Sequence, residues 1–382
     1  MSKKLIAAAC WAWIAVGLVS FSQAEESTGV KWSAWNGENL QGWHVTGCKT
    51  EVKEGALLLA EGDGFVRSDA KFADFVLELD WRALKAEQYD SGIYIRCDLP
   101  PEGKVWPRTY QINLKQGQEG NLLGVPNGSS QGLIQVGKWN HFKLTVVGDK
   151  ASMEINGKPA WSTAGLKAAS GYIGFQAEVP LGGQFEFKNI HITELGYRSL
   201  FNGQDLAGWE GAGSDAAACW KVENGLLTCT GKKGPWLRSK EQYGDFNLRL
   251  DYQVQAGGNS GVYVRVPADG KHHGEGAGVE IQVLDDKDEK YKNLKPYQYT
   301  GSVYAVAPAL QHVGRGPGQW NSMEINCQGS QYRITHNGVV IVQADAETFP
   351  ELKVRNASGF FGLQNHSTEV YFRNLRVGPP LP

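Results

Sequence analysis

The 382-residue sequence predicts an all-β protein built as two tandem antiparallel sandwiches or jelly rolls. Three observations carry that expectation. Short motifs recur in the same order in the two halves of the chain. Apolar and polar residues alternate with the two-residue period of half-buried strands, and Asn-Gly turn signals separate those runs while no segment sustains a helical period.

The repeat organises the rest. Trp35-Asn-Gly-Glu-Asn-Leu-Gln-Gly-Trp43 returns as Phe201-Asn-Gly-Gln-Asp-Leu-Ala-Gly-Trp209, and Ser91-Gly-Ile-Tyr-Ile-Arg96 returns as Ser260-Gly-Val-Tyr-Val-Arg265. Gly137-Lys-Trp-Asn140, Gly174-Phe-Gln176 and Phe187-Lys-Asn-Ile190 are answered in order by Gly318-Gln-Trp-Asn321, Gly362-Leu-Gln364 and Phe372-Arg-Asn-Leu375. The copies meet near Gly196 to Ser199 with almost no linker, so the expected division is 1–24, 25–197 and 198–382. Within the copies, Phe75 to Trp81, Phe142 to Val147, Phe246 to Tyr252 and Val370 to Val377 alternate as strands do. Asn156-Gly157 and Asn337-Gly338 supply the positive φ that a two-residue hairpin requires.

The first segment reads as an export signal. Lys3 and Lys4 precede an apolar run from Leu5 to Val19, and Ser22-Gln23-Ala24 offers small residues for cleavage, which predicts a secreted or periplasmic protein. That run is too short for a membrane span, and no later segment approaches the roughly 20 apolar residues one needs. Lys plus Arg total 38 against 40 for Asp plus Glu, and no basic block stands out, so nucleic acid is not an expected partner. The 13 tryptophans fit core filling for the most part and sugar stacking for the remainder. Five cysteines follow the signal. Cys219 and Cys229 flank the Asn224-Gly225 turn, where a bridge across paired strands is geometrically reasonable, and no Cys/His spacing resembles a zinc site.

Strand parity then selects a face. Val262, Val264 and Val266 pack inward, which turns Gly261, Tyr263 and Arg265 to the opposite surface. Val279, Ile281 and Val283 leave Glu280 and Gln282 on the other side, with Asp285 and Asp286 where the strand gives way to a loop. Gly362, Gln364 and His366 share one side of a third strand. If these strands are neighbours, Tyr263, Arg265, Glu280, Gln282, Gln364 and His366 converge on one polar surface, approached past Asn259 and walled by Tyr304. A solvated sheet face explains each residue singly. It does not explain a Tyr and an Arg two residues apart in both copies beside glycines that clear space.

Aligning Gln111 with Gln282 sets Thr109 against Glu280, Leu114-Lys115 against Asp285-Asp286 and Glu178 against His366, so the first copy reads as a binding or structural domain. His272 and His273 fall in a Gly-rich loop and read as solvated, and His44, His141, His191, His312 and His336 read as structural. Serine-hydrolase, nucleotide and zincin motifs are absent.

Phe201 to Trp209, Asn259 to Arg265, Glu280-Ile-Gln-Val-Leu-Asp-Asp286, Thr300-Gly-Ser-Val-Tyr304, Gly318 to Asn321 and Gly362-Leu-Gln-Asn-His366 together resemble the successive motifs of the 3-keto-disaccharide hydrolase domain family. The resemblance covers nearly all of the second copy and the first more loosely. It implies a concanavalin-like sandwich, bacterial export, and cleavage of glycosides already oxidised to a ketone at C3. Such a ketone acidifies the C2 proton. A base removes it, the C1 substituent leaves, and water adds back. On that chemistry, His366 or Glu280 is the expected base, Arg265 the group stabilising the enolate, and Asp285 or Asp286 a partner in proton transfer or hydroxyl binding. Tyr263, Gln282, Tyr304, Gln364 and Asn259 complete the expected sugar contacts. No cofactor is required, though a divalent metal on His366 and the carboxylates is an alternative electrophile. The competing class is a lectin-like protein that grips glycan without turnover.

Overall fold

A computed structural model describes residues 29–125 and 129–382, so the expected export signal, residues 1–24, and Cys10 lie outside the described residues. Four antiparallel sheets form two sandwiches. In the second copy, an eight-stranded sheet centred on Glu369–Gly378, Phe246–Val254 and Asn321–Gln328 packs on a five-stranded sheet. The smaller sheet runs in the order Trp209–Gly211, Leu237–Tyr243, Gly359–Leu363, Asn259–Val266, Val279–Leu284. Leu248, Leu250 and Tyr252 from one sheet meet Val262, Val264, Ile281 and Phe361 from the other in a single core. The first copy repeats the plan with eight and six strands. Among the described residues the only α-helix is the single turn Val179–Gly182.

The three Asn-Gly pairs singled out above form the expected hairpin turns, with φ of 51° and 76° at Asn156-Gly157, 53° and 74° at Asn224-Gly225, and 46° and 75° at Asn337-Gly338. The middle hairpin also corrects the disulfide expectation. Its register sets Cys229 opposite Trp220, and the backbone N–H of Thr230 bonds to the carbonyl of Cys219, so the two cysteines are offset by one position. Both thiols are free. Cys219 Sγ donates to the Pro235 carbonyl and Cys229 Sγ to Asn365 Oδ1.

The copies are joined by a buried charge cluster. Glu194, in the last long strand of the first copy, accepts from Arg249 at 2.6 Å and from Arg376 at 2.5 Å, both in the second. Arg249 also pairs with Glu324 at 2.8 Å. The two guanidinium groups hold the Glu194 carboxyl below its ordinary range against the effect of burial.

Candidate active site

The pocket of interest lies over the five-stranded sheet of the second copy. Strand Asn259–Val266 runs between Gly359–Leu363 and Val279–Leu284, with Tyr263 opposite Glu280 and Gly362, and Gly261 opposite Gln282. This pairing makes parity work: Val262, Val264, Val279, Ile281, Val283, Phe361 and Leu363 all enter the core. Glu280, Gln282, Gln364, His366, Asn259 and Tyr304 line an open pocket on the other side.

At its floor sits Glu280, only 3 % exposed. Gln364 Nε2 donates to Glu280 Oε1 at 2.9 Å and contacts the Tyr263 hydroxyl at 3.0 Å. Burial raises the Glu280 carboxyl to about 8, and the Gln364 hydrogen bond opposes that rise only in part. Burial likewise raises the Tyr263 phenol. Gly261 leaves room for the Glu280 carboxyl, since a Cβ there would meet Oε1 at 2.3 Å and displace it. Gln282 Nε2 reaches Asn259 Oδ1 at 3.3 Å, and Gln298 Nε2 donates to the Tyr304 hydroxyl at 2.8 Å. His366 is exposed at the rim, just beyond the strand end, with no hydrogen-bond partner among the described residues.

Two residues read as solvated belong to this site. His272 stacks on Tyr263, with ring centroids 4.8 Å apart and planes 20° apart, and its Nε2 lies 3.4 Å from Glu280 Oε2. His273 packs between His272 and Tyr304, at 4.1 and 5.4 Å. Burial, helped by the neighbouring His272, lowers its pKa.

Three expected site residues stand elsewhere. Arg265 is buried at 2 % exposure and ties loops: Nε donates to the Gly244 carbonyl, Nη1 to the Gly329 carbonyl and Nη2 to Asp245 at 2.7 Å. Its φ of +54° marks the strand irregularity between Tyr263 and Val266, where the alternation that parity assumes breaks. Arg96 has the same role in the first copy, with φ of +43° and bonds to the carbonyls of Ala73, Gly148 and Ala168 and to Asp74. Asp285 accepts from the Gly257 N–H, and Asp286 from the backbone and hydroxyl of Thr300. Both line a separate cavity with Tyr252, Tyr299, His312 and Arg315.

Strand register also corrects the alignment of the copies. Tyr94 faces Gln111 and Gly92 faces Asn113, just as Tyr263 faces Glu280 and Gly261 faces Gln282. Gln111 therefore stands where Glu280 does, two residues from the expected match. Its Nε2 donates to Gln176 Oε1 at 2.6 Å, and a Cβ on Gly92 meets that Nε2 at 2.2 Å. Residues 98–110 of this copy contain no histidine. Trp106 instead packs on the Phe65, Tyr94, Cys97 and Tyr172 cluster and donates to the carbonyl of Gly64.

The second copy is thus a β-sandwich whose smaller sheet buries a carboxyl among amides, imidazoles and phenols at the base of a polar pocket. The family is given by comparison: the 3-keto-alpha-glucoside-1,2-lyase-like domain matches residues 31–193 and again 196–378, and the chain belongs to that family in two tandem copies. A 3-keto-disaccharide hydrolase of Bacteroides thetaiotaomicron is 25 % identical over 231 residues, which span 49 % of this chain and 80 % of that protein. A candidate glycosyl hydrolase of Parabacteroides distasonis, solved by crystallography, is 24 % identical over 48 % of this chain and 94 % of its own, with a TM-score of 0.42. A carbohydrate binding module of Bacillus subtilis is 17 % identical over 41 % of this chain and 97 % of its own, with a TM-score of 0.33. No helix among the described residues is long and apolar enough to cross a membrane.

Proposed function

We propose that the second copy cleaves 3-keto-glycosides, 3-keto-disaccharides among them, by removing the C2 proton and expelling the C1 substituent. The observation that carries this reading is the buried Glu280 carboxyl, held by Gln364 beside His272, at a position where the first copy has the isosteric Gln111. Family membership supports the substrate class.

In this reaction a base takes the proton from C2, and the electron pair is delocalised onto the C3 oxygen as an enolate. That pair then forms the C1–C2 double bond as the C1–O bond breaks, and the departing oxygen receives a proton. Addition of water across C1–C2 completes net hydrolysis. No oxocarbenium ion is formed, so the carboxylate pair of ordinary glycosidases is not needed. His366 lines the pocket without a partner and serves as the base. Glu280, raised to about 8, carries its proton at neutral pH and donates a hydrogen bond to the enolate oxygen. Gln282, Gln364, Asn259 and Tyr304 hold sugar hydroxyls. The first copy, with Gln111 for Glu280 and Glu178 for His366, serves as a scaffold.

The test is incubation of the purified chain with matched oxidised and unoxidised trehalose, sucrose and simple glucosides. Release of the aglycone from the 3-keto compounds alone is expected, and His366→Ala should abolish it while far-ultraviolet circular dichroism stays unchanged. Binding of either sugar form without cleavage would leave a lectin. Undiminished turnover by the variant removes His366 from the mechanism.

A further inference from the structure

His272, His273 and Glu280 bring two imidazoles and a carboxylate together, with their donor atoms all within 4.8 Å of one another. Their arrangement is specific in three respects. First, His272 Nε2 and Glu280 Oε2 are 3.4 Å apart. That is too long for a charge-assisted hydrogen bond, and it matches the roughly 3.4 Å between two donors each about 2.1 Å from one tetrahedral ion. Second, the rest of the site already orients the ligands. Glu280 Oε1 is occupied by Gln364 Nε2, which leaves Oε2 to face the histidines, and the His272 ring is clamped against Tyr263 with its Nδ1 2.9 Å from the Gly270 carbonyl. An imidazole whose other nitrogen is hydrogen-bonded to a carbonyl is the usual form of a metal-ligating histidine. Third, Gln364 Oε1 is buried with no hydrogen-bond partner, as expected where a polar occupant of the pocket is missing.

The two copies provide an internal contrast. The first has Gln111 in place of the carboxylate and no histidine anywhere in the corresponding loop, so all three donors are absent together. A solvated loop gives no reason for an adjacent histidine pair to occur only in the copy that also has the buried carboxylate.

We propose that His272, His273 and Glu280 bind one divalent transition-metal ion of the borderline class, such as zinc or cobalt, with the remaining coordination positions open to the pocket. Two imidazole donors and one carboxylate select that class over magnesium and calcium, which take oxygen sets. His273, on the exposed side of the loop, already holds a ring nitrogen within 4.8 Å of the other two donors. The catalytic part of the inference rests on the reaction proposed above: the ion takes the place of the Glu280 proton as electrophile at the C3 oxygen, and His366 remains the base.

The test uses the full chain, stripped with chelator and dialysed, then titrated with cobalt(II) alone. Expected are one equivalent bound, visible absorption bands in the range of four- or five-coordinate cobalt, and displacement by one equivalent of zinc. His272→Asn, His273→Asn and Glu280→Gln should each weaken cobalt binding at least tenfold, with circular dichroism unchanged. Absence of stoichiometric uptake, or equal uptake by wild type and all three variants, overturns the site. Turnover of a 3-keto-glycoside at an unchanged rate by stripped protein overturns the catalytic role of the ion and leaves the proposed reaction intact. Stoichiometric cobalt binding with no turnover of any 3-keto-glycoside has the opposite meaning: the metal site stands and the reaction falls.

Discussion

Glu280→Gln converts the second site into what the first copy already contains, which makes its outcome readable. Gln111 occupies the same register opposite a tyrosine, beside a glycine that leaves the same room: an added Cβ meets the side chain at 2.2 Å on Gly92 and at 2.3 Å on Gly261. A glutamine is thus known to fit this sheet position, and the variant should fold with a thermal midpoint no lower than that of the wild type. What changes is chemistry at Oε2, which can no longer donate a carboxyl proton or ligate a cation. A positioned acid or base contributes roughly 10²–10⁴ in rate, so kcat on a 3-keto-disaccharide should fall at least a hundredfold, equivalent to about 2.7 kcal/mol of barrier. KM should move little, because the amide keeps the size and hydrogen bonds of the acid. The assay is steady-state release of the unoxidised half of the substrate, beside a melting curve on the same preparation. Turnover within tenfold of wild type would refute the assignment of Glu280. The reverse change, Gln111→Glu, should create no second site, since that copy lacks the histidine pair.

Three further outcomes follow from groups outside the pocket. Arg265→Met strips the Gly244 and Gly329 carbonyls and Asp245 of their donor and should cost about 3 kcal/mol of stability, while kcat of the folded protein stays within about twofold; a hundredfold fall in kcat at constant stability would return Arg265 to the reaction. Burial holds His336 at about 4, against about 6.5 in an unfolded chain, so the unfolded state binds the extra proton between those values. Stability is therefore full above about pH 6.5 and declines by about 3 kcal/mol as pH falls to 4, a drop that urea titrations at pH 7.5 and 4.5 should find reduced in His336→Gln. Glu194→Ala leaves Arg249 and Arg376 buried beside one another without the carboxylate that joins the copies, and should destabilise by about 3–5 kcal/mol; a calorimetric transition unchanged from wild type would contradict that.

How far the sequence alone reached depended on whether the chain was following a regular strand. Glu280 and Gln282 against Val279, Ile281 and Val283, and Gln364 against Phe361 and Leu363, were legible because alternation holds along Val279–Leu284 and Gly359–Leu363. Asp285 and Asp286 sit where the chain leaves the sheet in a turn closed by the Asp288 N–H on the Asp285 carbonyl, so the alternation does not extend through them, and they turned into a different cavity. The slip at Gln111 has another origin: the spacing from one strand to the next is set by loop length, and only backbone pairing reveals which residues stand opposite one another.

Arg265 and the histidine pair show how the repeat itself carried information that strand parity did not. An arginine required for chemistry has no reason to persist in a copy that has replaced the carboxyl and the rim histidine, yet Arg96 stands in the first copy at an equal strand position and makes the same kind of loop bonds. Its recurrence marks it as part of the sandwich. His272 and His273 show the converse: they occur only where Glu280 does, in a loop with no periodicity from which burial can be inferred. In a duplicated chain, a buried residue that ties the same loops in both halves, as Arg96 and Arg265 do, reports the demands of the fold. Those that depart together, Glu280, His272, His273 and His366, are the residues that the proposed chemistry uses.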